Sequence, residues 1–220
     1  IRDEIFSYSR HILLKLSPMA DISMVCDRLG PACREVHVVA SGGECKELLI
    51  WMDKEWNGEY EVTASVLKDD GEPACFSFRP SEEKEAKAVI KDSAPAEGEY
   101  MFEPCKAIMK AGAFNMTSQR FGLKKSGAST HYYFTDDFSK VEELKKYGKV
   151  YMIRESHILN KRTIKETGKN YPHSEVTARN ISMDTDTLRK KLGVTSGDDA
   201  HIFGLGSDLS GKILLVADRL

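Results

Sequence analysis

The sequence predicts part of an α/β fold followed by a small α+β domain. Near its start, two short apolar runs flank an amphipathic helix pattern, which is the order of a βαβ unit. A charged, proline-containing stretch then interrupts the pattern at residues 80–98. Beyond it, short helices and strands follow one another as in a compact domain with a mainly antiparallel sheet.

The predicted βαβ unit begins with the apolar run at residues 11–16, which has the length of a buried strand. Asp21 is a suitable N-cap for the helix that follows, and Gly30 with Pro31 ends it. A second apolar run at residues 35–40 supplies the next strand. Units of this kind form a parallel sheet that is covered on both faces.

An antiparallel edge is predicted to follow the βαβ unit. Residues 46–52 and 60–67 have the pattern of longer strands, and Trp56-Asn57-Gly58 between them indicates a hairpin turn. A further turn at Asp69-Asp70-Gly71 leads into a short strand at residues 74–78. Five or more strands are typical of a doubly wound sheet, so this part of the fold is incomplete.

Residues 81–98 are predicted to be a linker because they combine many charges with small residues and prolines. The predicted domains are therefore residues 1–80 and residues 99–220. In the second domain, a strong strand is expected at residues 150–159, followed by a basic helix capped by Asn160.

The net charge of −2 is the average of two unlike halves. Residues 1–100 carry 12 basic and 20 acidic side chains, whereas residues 101–220 carry 20 basic and 14 acidic ones. A basic half of this kind attracts polyanions through counterion release, although solvated lysines that merely solubilise a domain give the same count.

The five cysteines are odd in number and form no CxxC pair, and the six histidines are scattered. This spacing argues against a zinc site and against a disulfide framework, so we expect no metal and a reducing, cytoplasmic location. The longest apolar runs are too short to span a bilayer.

Several blocks of the sequence, in order along nearly the whole chain, resemble bacterial class I S-adenosylmethionine-dependent methyltransferases with a C-terminal THUMP-like domain. The blocks are LKLSPMADI at 14–22, EVHVVA at 35–40, ECKELL at 44–49, YMFEP at 100–104, IMKAGAF at 108–114, RFGL at 120–123, TARN at 177–180, LRKKL at 188–192 and GDDAHIF at 197–203.

The resemblance implies that residues 1–80 are the last third of a Rossmann-like methyltransferase sheet, namely its fifth strand, the next helix and the closing antiparallel hairpin. Residues 99–220 would be the THUMP-like domain. The glycine-rich loop that binds S-adenosylmethionine, the acidic residue for its ribose and the Asp-Pro motif near the target would lie upstream. The resemblance therefore assigns no catalytic or cofactor-binding residue to this chain, which would be inactive alone.

RNA is the partner that the resemblance implies, because THUMP-type domains are associated with RNA-modifying enzymes. Basic side chains near aromatic residues in the second half can hold phosphates and stack bases, whereas solvated helix faces explain the same residues. The predicted RNA-binding residues are Lys110, Arg120, Lys124, Lys125, Lys161, Arg162, Lys165, Arg179, Lys190 and Lys191.

Ser17 and Pro18 follow a predicted parallel strand, at the edge where such sheets bind ligands. They are candidates for the edge of a substrate pocket, and a strand stop before a helix explains them equally well. Two other functions stay open for the protein: a non-catalytic module that binds RNA or protein, and a methyltransferase for a protein or small molecule.

Overall fold

The computed structural model describes residues 1–67 and 71–220 and divides the chain into two compact units. The first unit contains Ile1–Lys87 and Cys105–Thr117, and the second contains Ala88–Pro104 and Ser118–Leu220. Within residues 1–87 the elements are α1 (Arg2–Ile5), β1 (His11–Leu16), α2 (Ile22–Leu29), β2 (Cys33–Ser41), β3 (Glu44–Asp53), β4 (Glu61–Leu67), β5 (Ala74–Phe78) and α3 (Pro80–Glu85).

The remaining elements mix very short strands with three long ones near the C-terminus. They are β6 (Val89–Ile90), β7 (Tyr100–Pro104), α4 (Lys106–Ala111), α5 (Phe114–Phe121), β8 (Lys124–Lys125), β9 (Tyr133–Thr135), α6 (Val141–Leu144), β10 (Gly148–Ile158), α7 (Lys161–Asn170), β11 (His173–Arg179), α8 (Thr185–Leu192), β12 (Thr195–Ser207) and β13 (Gly211–Arg219). The strand and basic helix predicted around Asn160 are confirmed as β10 and α7.

The first unit contains a five-stranded mixed sheet in the order β1-β3-β2-β4-β5. Strand β3 pairs antiparallel with both β1 and β2, so β1 and β2 run in the same direction with β3 between them. The two strands of the predicted βαβ unit therefore have the expected direction, but the sheet is mixed and not parallel, because β3 lies between them. Strands β2 and β4 form the parallel pair of this sheet.

A tight hairpin joins β2 to β3. The predicted hairpin at Trp56-Asn57-Gly58 is wrong, because β3 and β4 are not neighbours in the sheet. Ser41 pairs with Glu44 across a two-residue turn in which Gly42 and Gly43 have φ angles of 58° and 78°. Two consecutive left-handed residues make the type I′ turn that tight hairpins favour, and glycine adopts it without strain. Of the predicted Asp69-Asp70-Gly71 turn, Asp69 and Asp70 lie outside the described residues.

Helix α2 begins as the sequence predicts, because the Asp21 carboxylate accepts a hydrogen bond from the Met24 backbone N–H at 2.9 Å. Gly30, at a φ of 72°, ends the helix. Helix α4 belongs to this unit although it follows β7 in the chain, since it packs against β2, β3 and β4.

The second unit contains an eight-stranded sheet in the order β11-β12-β13-β10-β7-β9-β8-β6. Its β11–β12 and β6–β8 pairs are parallel and the others are antiparallel, which confirms the mainly antiparallel α+β arrangement. On one face, α7 and α8 cover a cluster that includes Ile164, Leu188 and Ile202. On the opposite face, a second cluster includes Tyr151, Phe203 and Leu215.

The stretch predicted as a linker is built into the two units. Pro80 stands in the first turn of α3, and the Glu82 carboxylate accepts the Arg79 backbone N–H at 2.6 Å. Further along, the buried Lys91 ammonium forms an ion pair with Glu99 at 2.8 Å. Charged residues of this stretch thus take part in a helix cap and in an internal ion pair. The domain boundaries 1–80 and 99–220 themselves stay a prediction.

Candidate nucleic-acid interface

Helix α7 is fixed at its start by reciprocal hydrogen bonds around Asn160. The Asn160 side-chain oxygen accepts the backbone N–H groups of Arg162 and Thr163 at 2.9 and 3.0 Å, and Thr163 Oγ1 accepts the Asn160 N–H at 3.1 Å. Ile164 and Thr167 face the core. The three lysines of the helix are therefore directed to solvent, one turn apart, at positions 161, 165 and 169.

Helix α8 lies beside α7 and concentrates its cations in its last turn. The Asp184 carboxylate accepts the Thr187 N–H at 2.7 Å at the start, and Gly193 ends the helix in the left-handed conformation. Leu188 and Leu192 are buried against the sheet. The exposed Lys190 and Lys191 occupy the end of the helix that the macrodipole makes favourable for cations.

The two helices touch at Gly168. A Cβ atom built on this residue would lie only 1.9 Å from the Leu192 carbonyl oxygen, so the missing side chain is what permits the approach. The contact brings the C-terminal turns of α7 and α8 together. Lys169, next to Gly168, and Lys191, next to Leu192, are therefore brought onto neighbouring turns.

The lysines of this surface form no ion pair in the described part of the chain. No carboxylate lies within 4.0 Å of their ammonium groups, whereas Arg162 pairs with Glu166 at 2.8 Å and Arg189 pairs with Glu175 at 3.3 Å. We call this surface the basic helix pair, and it consists of Lys161, Lys165, Lys169, Lys190 and Lys191. Uncompensated cations on adjacent helices are suited to phosphate groups.

The other predicted RNA-binding residues are dispersed. Lys110 is half-buried in the first unit, where its charge contributes to the lowered pKa of Asp21 after the larger effects of the Met24 N–H and the Ser23 hydroxyl. In the second unit, Arg120 and Lys124 are exposed near α5 and β8, and Arg179 is exposed at the end of β11.

Lys125 requires a correction. Its side chain is buried, with 2% of the residue exposed, and Nζ donates a hydrogen bond to the Ala128 carbonyl oxygen at 2.7 Å. Strand residues point alternately to opposite faces, so Lys124 reaches solvent while its neighbour is enclosed. Lys125 is therefore excluded from the nucleic-acid surface.

Ser17 and Pro18 lie at the carboxyl end of β1, as predicted. Ser17 Oγ accepts the Met19 backbone N–H at 3.2 Å, and the Ser17 carbonyl oxygen accepts the Ala20 N–H at 3.0 Å. These bonds form the turn that leads into α2, which is the strand-stop role. Their place at the edge of a substrate pocket stays a prediction.

Sequence reasoning missed a second group of residues, on the sheet face opposite α7 and α8. Tyr132 and Tyr151 donate their hydroxyl groups to the two carboxylate oxygens of Glu103, each at 3.2 Å. Lys149 Nζ lies 3.9 Å from the same carboxylate. Burial raises the pKa of both tyrosines, and the Glu103 charge raises it further.

His201 lies close to this carboxylate–tyrosine group. Its ring stacks on Phe203 with centroids 4.0 Å apart and an angle of 9°, and Nε2 lies 2.8 Å from the Thr177 hydroxyl. Burial and the nearby Lys149 charge lower the pKa of His201 to about 4, so the ring is neutral at neutral pH. The strand alternation that puts these residues on one face was visible in the sequence, but the pairing of distant strands was not.

Within residues 1–67 and 71–220, no group of three or more His, Cys, Asp or Glu side chains is placed to hold a metal ion. Among the helices of these ranges, none has both the length and the apolar character needed to span a membrane.

Comparison with known families gives two matches in the second half of the chain. Residues 148–219 match a THUMP domain-like family. Residues 100–140 match a ferredoxin-like domain family. The THUMP-like match contains both helices of the basic pair, together with His201, and the ferredoxin-like match contains Glu103.

Comparison with solved structures finds a candidate methyltransferase from Porphyromonas gingivalis W83. The two chains have 27% sequence identity and superpose with a TM-score of 0.88 over 99% of this chain. This chain spans 53% of the length of that protein. The comparison with curated proteins gives no match.

Proposed function

We propose that this chain is the C-terminal portion of an S-adenosylmethionine-dependent methyltransferase that acts on RNA, and that the basic helix pair binds the RNA. The observation that carries the proposal is the concentration of five unpaired lysines on two touching helices in the THUMP-like region. Such a surface binds the phosphate backbone without reading its sequence. The domain would hold the RNA while an upstream catalytic domain modifies a nucleotide in the cytoplasm.

The methyltransferase part of the proposal is supported by the likeness to the Porphyromonas gingivalis protein, of which this chain spans about half. The first unit also has the parts that the family resemblance implies: a strand, a helix and an antiparallel hairpin. With β3 inserted between β1 and β2, it has the form of one end of a larger sheet.

In the described part of the first unit, the residues that follow β1 and β2 do not fit S-adenosylmethionine. The helix that follows β1 uses Asp21 to cap its own N-terminus, and β2 leads directly into the two-residue turn at Gly42 and Gly43. Neither of these carboxyl ends forms a glycine-rich loop that a cofactor could approach. The proposed cofactor site therefore belongs to the upstream part of the protein.

Calorimetry tests the cofactor assignment. Titration of S-adenosylmethionine into the 220-residue chain is expected to give no binding heat, because the strand-to-helix loop of a cofactor site is not formed by β1 or β2. Tight binding would contradict the proposed division of the protein.

Salt-dependent RNA binding tests the role of the helix pair. The double variant Lys165→Glu/Lys191→Glu is expected to lower affinity for structured RNA and to reduce the slope of log K against log salt by about 2, since each lost phosphate contact removes about 0.9. Filter binding at several salt concentrations measures both quantities.

A matched control is Lys84→Glu/Lys87→Glu, which makes the same change of charge on exposed residues of the first unit. This control should leave the slope unchanged. If the two double variants weakened RNA binding equally, the binding would depend on the net charge of the chain and not on the basic helix pair. An absence of salt-dependent RNA binding by the wild-type chain would favour a protein or small-molecule substrate.

A further inference from the structure

Two buried cysteines of the first unit are close neighbours. Cys26 lies in the last turn of α2 and Cys33 is the first residue of β2, and their sulfur atoms are 3.3 Å apart. Only 4% and 2% of their surfaces are exposed. Since a disulfide requires about 2.05 Å between the sulfur atoms, the two atoms need to approach by only about 1.25 Å.

The backbone between the two cysteines is already fixed in a closed form. The Gly30 N–H donates to the Cys26 carbonyl oxygen at the end of α2. The Cys33 N–H donates to the Gly30 carbonyl oxygen across a single 3₁₀ turn at Gly30–Ala32. Because these bonds hold the turn, no large loop has to close before the sulfur atoms meet.

The two thiols differ in acidity. When Cys33 loses its proton, the Cys26 thiol stabilises the thiolate through the hydrogen bond between the two sulfur atoms. This hydrogen bond lowers the pKa of Cys33. The same hydrogen bond, together with burial, raises the pKa of Cys26. Cys33 is therefore the nucleophile of the pair, and Cys26 keeps its proton.

Tyr60, which precedes β4, forms a hydrogen bond with the sulfur atom of Cys26. Burial raises the pKa of Tyr60 to about 12, so its hydroxyl is protonated at neutral pH and can donate. A donor at this sulfur atom stabilises the Cys26 thiolate as a leaving group when an external thiol attacks a disulfide at Cys33. Tyr60 thus favours the return from a disulfide to two thiols.

We propose that hydrogen peroxide converts Cys26 and Cys33 into a reversible disulfide, which ties the end of α2 to the start of β2. The Cys33 thiolate attacks one peroxide oxygen, the O–O bond breaks, and the departing hydroxide takes up the proton that Cys33 released. The Cys26 sulfur atom then attacks the Cys33 sulfenic acid. The S–S bond forms, the S–O bond breaks, and the oxygen leaves as water with the Cys26 proton. The two thiols lose two electrons and two protons, and one hydrogen peroxide becomes two waters.

Burial restricts the pair to small oxidants. Hydrogen peroxide is little larger than water, whereas glutathione disulfide has to place its own sulfur atoms in line with the attacking thiolate. Cys26 and Cys33 are covered, so glutathione disulfide is excluded from them, while the exposed Cys75 is open to both reagents.

The test treats the reduced 220-residue chain with hydrogen peroxide and identifies the products by mass spectrometry. Trypsin cleaves after Arg28, so a Cys26–Cys33 link joins two otherwise separate peptides. We expect this link with peroxide, its loss on addition of dithiothreitol, and no link with glutathione disulfide. The disulfide closes a loop of eight residues, so the Tm of the oxidised chain should rise by about 5 °C.

Two serine variants distinguish the roles of the cysteines. In Cys26→Ser, Cys33 has no partner, so dimedone should capture its sulfenic acid. Cys33→Ser should give no dimedone adduct at Cys26. The triple variant Cys45→Ser/Cys75→Ser/Cys105→Ser keeps only the pair and should form the link as the wild type does. It keeps the test valid if a single variant does not fold.

Cys75 provides an internal control for the extent of oxidation. If Cys75 is oxidised and no Cys26–Cys33 link has formed, the inference is overturned. A link without a rise in Tm would contradict the tie between α2 and β2. Equal linking by glutathione disulfide would contradict the restriction to small oxidants, and a dimedone adduct on Cys26 would contradict the order of attack. None of these results depends on RNA, so the proposed function is tested separately.

Discussion

Gly168 sets the distance between α7 and α8, so Gly168→Ala is expected to destabilise the second unit. The new Cβ would lie 1.9 Å from the Leu192 carbonyl oxygen, whereas ordinary contacts begin at 3.4 Å. The helices must therefore separate by about 1.5 Å, which is the difference between these two distances. This separation loosens the cluster formed by Ile164, Leu188 and Leu192.

The expected magnitude follows from two opposed effects. Replacing glycine by alanine inside a helix stabilises it by about 1 kcal/mol, but forcing atoms into a packed contact costs up to about 3 kcal/mol. A clash with backbone cannot be relieved by a rotamer change, so we use the upper figure. The net loss is about 2 kcal/mol, which corresponds to a decrease in Tm of about 4–8 °C for a chain of this size.

Thermal and urea denaturation followed by circular dichroism measure this loss. Gly71→Ala is the control, because a Cβ at Gly71 would meet nothing within 4 Å. The reasoning would be refuted if Gly168→Ala were as stable as the wild type, or more stable by the 1 kcal/mol of helix propensity. In either case the two helices would not be in the contact on which the basic helix pair depends.

Two further predictions concern the first unit. Asp53 accepts hydrogen bonds from Arg10 and from the Glu55 backbone N–H, and these bonds lower its pKa to about 2. The ionised carboxylate therefore contributes to the free energy of unfolding above pH 4. This contribution is lost as the pH falls towards 2. Asp53→Asn should be less stable than the wild type at pH 7 and should lose less stability between pH 4 and pH 2. Urea unfolding at each pH measures both differences. The same loss of stability between pH 4 and pH 2 in both proteins would contradict this reasoning. In thiol labelling of the folded chain, the exposed Cys75 should react first and the buried Cys26 and Cys33 last, with mass spectrometry identifying the sites; early loss of Cys26 would contradict its burial.

Local signals in the sequence predicted individual elements well but not their partners. The cap at Asp21 and the cap at Asn160 were identifiable because a capping side chain bonds backbone a few residues away. The position of β3 between β1 and β2 was not, since an apolar strand fits several neighbours equally well. The two left-handed glycines at 42–43 specify the hairpin of β2 and β3, whereas the prediction placed a hairpin at Trp56.

In the candidate site too, local sequence spacing identified some residues, and only tertiary structure identified the others. Lys161, Lys165, Lys190 and Lys191 were predicted from their spacing on basic helices. Lys169 and the contact between the two helices at Gly168 were not predicted. Lys125 was misassigned because the sequence does not show which of two neighbouring strand residues faces the core. The Glu103–Tyr132–Tyr151 group and His201 come from four different strands or loops, so only tertiary structure brings them together.

The insertion of β3 between β1 and β2 has a consequence for the order of folding. Strands β2 and β3 are joined by a two-residue turn, so they can pair after closing a very short loop. Strand β1 has β3 as its partner in the sheet, and Leu16 pairs with Leu48, 32 residues further along the chain. Contacts of such long sequence separation form slowly, so β1 is expected to pair with β3 after the hairpin has formed. Strand β1 is thus expected to be the last of these three strands to pair. The backbone amides of β1 should therefore exchange with solvent sooner than those of the β2–β3 hairpin.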